Sequence, residues 1–197
     1  VIYFLYQLVR PLMILWCKIC FHLHVEGTKN IPSHGGFILA CNHVSYLDPV
    51  FLGASCPRKL NFMARKELFE NKFFGPFITG LNAFPVKRDS ADIGALKEAL
   101  KRVKRGGCLV VFPEATRKSG PEDVDPKAGI GFIAAKAQAP IIPCFITGAE
   151  KVLPKGAKRI TMAPVSVKYG KQILIERGMP YQDVADHIMV QIRHLAC

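Results

Sequence analysis

GFILACNHVSYLDP, residues 36–49, carries the decision about the fold. Phe37 to Cys41 form a short apolar run opened by Gly35-Gly36, which reads as a buried strand because five residues are too few for a helix with a core-facing stripe. The run stops at Asn42, and His43, Ser45 and Asp48 follow in a polar loop. A strand end that opens into such a loop is where α/β sheets expose functional side chains.

Working outward, the same alternation recurs. Strands are predicted at KLNFMA (59–64), AFPVKR (83–88), CLVVFP (108–113) and PIIPCFI (140–146), with stretches of helical spacing between them. The clearest helix is 91–104, with Ile93, Leu96, Leu100 and Val103 on one face, Ser90 as cap and Gly106-Gly107 as terminator. A second helix fits Ile130 to Gln138, and a last one Tyr181 to Leu195, with Val184, Ile188 and Ile192 aligned. Apolar alternation around Tyr169-Gly170 predicts a hairpin.

Residues 1–23, VIYFLYQLVRPLMILWCKICFHL, are almost continuously apolar and as a straight helix would reach roughly 33 Å, about one bilayer core. Gln7, Arg10, Lys18 and His22 nevertheless share a narrow stripe, and Pro11 invites a break. The expectation is two short helices lying in the interfacial plane, with Arg10 and Lys18 snorkelling to headgroups; a transmembrane span and a helix buried in the domain's own core stay open as alternatives. A signal peptide fits poorly, since the charges lie inside the apolar run and HLHVEG follows it.

A chain of 197 residues with 50% hydrophobic composition buries one substantial core, so a single domain is expected. The fold class is α/β: one largely parallel central sheet flanked by helices, finished by antiparallel edge strands and preceded by an N-terminal apolar helical membrane-anchoring segment, with the boundary between 1–23 and 24–197. The net charge of +12 suits an anionic partner. With basic residues scattered among 13 Phe, that partner is read as an anionic phospholipid membrane and not nucleic acid. Seven cysteines, mostly inside apolar runs, read as reduced core residues of a cytosolic compartment, and neither Cys17-Cys20 nor His22-His24 makes a convincing metal pair.

His43 and Asp48 are the candidate chemistry. An imidazole takes a proton from a hydroxyl when a carboxylate on one ring nitrogen fixes its tautomer and its direction. Spacing alone leaves a plainer reading open, in which Asp48, followed by Pro49, merely caps a helix beside a satisfied histidine. Cys41, acylated before transfer, is a rival nucleophile, although it sits in the apolar run.

Four blocks then carry a resemblance. NHVSYLD (42–48) matches the NHxSxxD signature of the glycerolipid acyltransferase family, whose members include 1-acylglycerol-3-phosphate acyltransferases. FPVKRD (84–89), FPEATR (112–117) and APIIPCFITG (139–148) resemble that family's second, third and fourth blocks, in the family's order. The resemblance implies an acyltransferase domain over 24–197, with His43 as general base and Asp48 as its orienting partner. Arg88 and Arg117, with Lys87 as the weaker candidate, would hold the acceptor's phosphate, and Glu114 its glycerol portion. It further implies transfer from an acyl-carrier-protein or coenzyme A thioester to the sn-2 hydroxyl of lysophosphatidic acid, giving phosphatidic acid, with neither cofactor nor metal, at the cytoplasmic face of a membrane.

Glycerol 3-phosphate or another lysolipid is the alternative acceptor. A non-catalytic basic membrane- or nucleic-acid-binding module is the alternative of another class, against which the intact His-Asp pair argues. Ala115 departs from the family's usual glycine, which puts the conformation of that loop in doubt. Phe62, Phe69, Phe73, Phe74 and Phe77 are available to line an acyl groove.

Overall fold

A computed structural model describes residues 2–87, 92–113 and 128–196. Arg88, Ser90, Glu114, Ala115 and Arg117 therefore lie outside the described residues.

The strands are β1 (His24–Glu26), β2 (Phe37–Cys41), β3 (Leu60–Arg65), β4 (Ala83–Val86), β5 (Cys108–Val111), β6 (Ile141–Thr147) and β7 (Ser166–Tyr169). They form one sheet in the order β1-β7-β6-β2-β5-β3-β4. β6, β2, β5, β3 and β4 run parallel, and β7 is antiparallel to β6 with β1 parallel to β7. The apolar run at 37–41 is the middle of this sheet, buried at every position because helices cover both faces.

Alternate residues of β2 feed two cores. Phe37, Leu39 and Cys41 pack with Cys17 and Phe21 of α1 (Ile2–Phe21) and with Phe51 and Leu52 of α2 (Asp48–Ser55). Ile38 and Ala40 face α4 (Ile93–Lys104), α5 (Ala128–Ala137) and α7 (Tyr181–Arg193) through Ala99, Val103, Ile133, Ala134, Val184 and Ile188. The remaining helices are the short α3 (Phe74–Gly80) and α6 (Ala149–Val152). The expected helices at the C-terminal end and around 130–138 are present, and the layered architecture follows from the strand's own alternation.

Several local expectations are corrected. Pro11 does not break the N-terminal segment, which is one helix through Phe21. Contacts on both sides of the proline compensate for its missing N–H: Arg10 Nη2 donates to the Cys56 carbonyl, 2.8 Å away at the end of α2, and Cys17 and Phe21 are fully buried. Arg10 thus faces the protein instead of headgroups. The helix turns outward a row of apolar side chains, Leu12, Leu15, Trp16 and Ile19. No helix among the described residues is long and apolar enough to cross a membrane.

The cap of α4 is Asp92, whose Oδ1 accepts from Ala95 N at 2.9 Å, and its buried face is Ala95, Ala99 and Val103, leaving Ile93 exposed. The hairpin at Tyr169-Gly170 does not form. β7 is already paired on both sides, so the chain after it bridges elsewhere: Gly170 N donates to Pro143 O, and Ile173 pairs with Ile141.

The sheet's helical side is closely packed where α5 crosses α7. A Cβ added at Gly131 would stand 1.8 Å from the Tyr181 carbonyl oxygen, whereas at Gly129 nothing described lies within 4 Å. Gly131→Ala is expected to destabilise the fold by about 1–3 kcal/mol in denaturant unfolding. Gly129→Ala, in the same helix, should be neutral or up to about 1 kcal/mol more stable.

Candidate active site

His43 leaves the carboxyl end of β2 and is only 4% exposed. Asn42 sets the direction of that exit: its amide donates to Ile146 O (2.9 Å) and accepts from Ile146 N (2.8 Å), so a side chain continues the pairing with β6 as the backbone turns away. Ser45 fixes the far side of the turn by donating to Leu153 O (3.0 Å), which also accepts from Tyr46 N. Within NHVSYLD, the asparagine and the serine thus hold the loop that aims the histidine.

Asp48, fully buried, gathers the loop from inside. Its Oδ2 lies 2.7 Å from His43 Nδ1 and accepts from Val44 N (2.8 Å) and Ser45 N (2.9 Å). The helix-capping reading is therefore overturned. The N-cap of α2 is Leu47, no side chain caps it, and the Asp48 carboxylate faces back toward residues 43–45. Because Oδ2 already accepts two backbone protons, it acts as an acceptor toward the ring as well, so Nδ1 carries the hydrogen and in the neutral imidazole Nε2 is the acceptor nitrogen. That is the tautomer a general base requires.

Phe112 completes the setting. Ala40 of β2 is in register with Val111 of β5, so the residue after β5 rises beside the histidine loop. Its ring stacks on the imidazole, with centroids 4.1 Å apart and 19° between planes. Sequence reasoning passed over this residue, although FPEATR begins with it. The available signal was that two parallel neighbours ending in step must place their first loop residues side by side.

Other expectations resolve differently. Cys41 is buried among Phe37 and Leu39, and its thiol contacts Asn42 Oδ1 at 3.5 Å, which suits packing more than nucleophilic attack. Burial pushes the Cys17 thiol up to about 11, so Cys17 offers little thiolate to a redox or metal role. No group of metal-ligating side chains occurs among the described residues.

Lys87 is exposed just past β4, the third strand from β2, roughly 14 Å along the edge by strand spacing. It shares the histidine's edge without joining the histidine. Its backbone N–H donates to Asp92 Oδ2 (3.0 Å), and this bond, with that from Ala95, holds the Asp92 carboxyl below the usual carboxylate range. Asp92 therefore bonds Lys87, just past β4, and the first turn of α4 at once. Phe73, Phe74 and Phe77 point outward, so they do not line an enclosed groove, while Phe62 is packed against the core. A cavity of about 810 Å³ between α5 and residues 174–181 opens near the start of β6, at the opposite edge from His43.

The acyltransferase family model matches residues 22–147, more than half of the chain. Among curated relatives, the 1-acyl-sn-glycerol-3-phosphate acyltransferase of Bacillus subtilis (strain 168) is 35% identical over 140 residues, covering 69% of each chain. That of Streptococcus pneumoniae is 33% identical over 200 residues, covering 96% of this chain and 72% of its own. The crystal structure of the 1-acyl-sn-glycerophosphate acyltransferase PlsC from Thermotoga maritima superposes with a TM-score of 0.78 at 26% identity, covering 97% of this chain and 80% of that one. With its histidine and carboxylate joined at the carboxyl edge of a sheet shared with that enzyme, the chain belongs to the acyltransferase family.

Proposed function

We propose that this chain transfers a fatty acyl group from a thioester to the sn-2 hydroxyl of 1-acylglycerol-3-phosphate, giving phosphatidic acid, at a membrane surface. The observation that carries the reading is the 2.7 Å contact between His43 Nδ1 and Asp48 Oδ2. The relatives named above, which are 1-acyl-sn-glycerol-3-phosphate acyltransferases, supply the acceptor.

The hydroxyl proton passes to His43 Nε2 as the alcohol oxygen attacks the thioester carbonyl. The tetrahedral intermediate collapses with cleavage of the C–S bond, and the proton on Nε2 goes to the departing thiolate. Asp48 holds the imidazolium formed in between, and the Phe112 face adds cation–π stabilisation to that charged ring. No acyl-enzyme is needed. The acceptor's phosphate is assigned to Arg88 and Arg117 with Lys87 assisting, and its glycerol portion to Glu114. Support for this comes from chain position, since Arg88 follows β4 and the block holding Glu114 and Arg117 opens at Phe112, the histidine's stacking partner.

The donor is an acyl-carrier-protein or coenzyme A thioester, either of which is anionic and suits a chain of net charge +12. Membrane association is inferred from the exposed row Leu12, Leu15, Trp16 and Ile19, joined by exposed Phe73, Phe74 and Phe77 at the neighbouring α3, and the cytoplasmic face from cysteines read as reduced.

The test is to offer purified protein both 1-acylglycerol-3-phosphate and glycerol 3-phosphate, each with both donors. Phosphatidic acid should form from the lysolipid, and product from glycerol 3-phosphate alone would overturn the acceptor assignment. His43→Ala and Asp48→Asn should each lower kcat by about 10²- to 10⁴-fold, the latter by releasing the wrong tautomer.

Phe112→Leu should lower kcat roughly 3- to 10-fold with little change in KM, corresponding to an aromatic contact of about 0.5–1.5 kcal/mol, and Phe112→Tyr should restore it. Arg88→Ala and Arg117→Ala should instead raise the acceptor KM, measured by initial rates in mixed micelles.

A further inference from the structure

We infer that the loop Lys155–Met162 is a second lipid contact, one that seats the catalytic edge of the sheet on an anionic bilayer. The loop is a built part of that edge. At its root, Leu153 O accepts from Ser45 Oγ (3.0 Å) and Tyr46 N (3.0 Å), both in the histidine loop. Midway, Thr161 N donates to Val152 O (2.9 Å), and beyond it Val165 N donates to Phe21 O (2.9 Å), the last residue of α1. One segment therefore connects the imidazole's loop to the end of the apolar helix.

Its surface has two chemistries in succession. Lys155, Lys158 and Arg159 are exposed, and none pairs with a carboxylate among the described residues. Immediately after them Ile160 is 50% and Met162 73% exposed. Scattered apolar residues on a surface are ordinary, but cations beside apolar side chains, on a segment bonded to the end of the helix that exposes Leu15, Trp16 and Ile19, match the headgroup and acyl boundary of a bilayer.

An acidic carrier protein would satisfy the cations and leave Ile160 and Met162 without a role, so the bilayer is the occupant. The inference rests on the reading that the acceptor is a lipid, which then enters the site sideways from the leaflet.

Each cation near an anionic leaflet contributes about fivefold to partitioning, so three give on the order of a hundredfold. The experiment measures sedimentation of the full chain with vesicles of phosphatidylcholine alone and of phosphatidylcholine mixed with phosphatidylglycerol, for wild type, for Lys155→Ser/Lys158→Ser/Arg159→Ser and for Ile160→Ser/Met162→Ser. The basic triple variant should lose at least tenfold in partitioning to the mixed vesicles, together with most of the salt dependence. The apolar pair should lose partitioning to both. Turnover of lysolipid presented in vesicles should fall with binding, while kcat on lysolipid in detergent micelles stays at the wild-type value.

Unchanged vesicle binding in both variants overturns the inference, as does a raised KM confined to the carrier-protein thioester with binding intact. Because binding is read separately from turnover, a chain that binds as expected without acylating the lysolipid would refute the enzymatic reading alone.

Discussion

A single oxygen, Oδ2 of Asp48, accepts hydrogen bonds from three consecutive residues, His43, Val44 and Ser45. Charge-assisted bonds to a fully buried carboxylate are stronger than neutral ones, and here they close a tight loop around the group that orients the imidazole. The two backbone bonds position the oxygen, and the ring bond uses it. The arrangement has a cost in stability: Oδ1 is buried with no partner among the described residues, and an unsatisfied polar atom costs about 1–3 kcal/mol. Concentrating the donors on one oxygen therefore favours a directed imidazole over a fully satisfied carboxylate, a trade expected at sites of chemistry.

The parts legible in the sequence were those governed by burial and by strict spacing. FILAC could only be a buried strand, and Val184, Ile188 and Ile192 could only be the inner face of a helix, because apolar periodicity reports directly on what leaves water. His43 and Asp48 were legible as a pair since five residues suffice for a returning loop. What escaped depended on partners distant in sequence. The outer placement of Ile93 reflects small alanines that let α4 approach closely, and the missing hairpin reflects a β7 already flanked by β1 and β6. Phe112 was passed over as a site residue because its role depends on β2 and β5 lying in register.

The N-terminal helix reverses the usual inference from a polar stripe. Arg10, read as a headgroup contact, instead supplies the terminal carbonyl of α2 with a charged donor, and the inward side is closed by Phe21 stacking edge-on against Phe51. With that side committed to the protein, the apolar residues left over have only the exterior to face. A hydrophobic excess that exceeds what one core can absorb thus becomes surface on α1 and α3.

Topology then decides where that surface stands relative to the chemistry. Parallel strands β2, β5 and β4 end at one edge, so His43, Phe112 and Lys87 leave the sheet along it although some forty to seventy residues separate the first from the others. β7 runs antiparallel to β6, with Ser166 opposite Thr147, and β1 follows it with His24 beside Ser166. Both strands consequently start at the catalytic edge, which brings the end of α1 and the segment 153–165 to the same place. Had β7 been parallel to β6, residue 165 and the end of α1 bonded to it would lie at the amino ends of the strands, a sheet's height from the histidine. The reversal of one edge strand is what unites the apolar helix with the histidine.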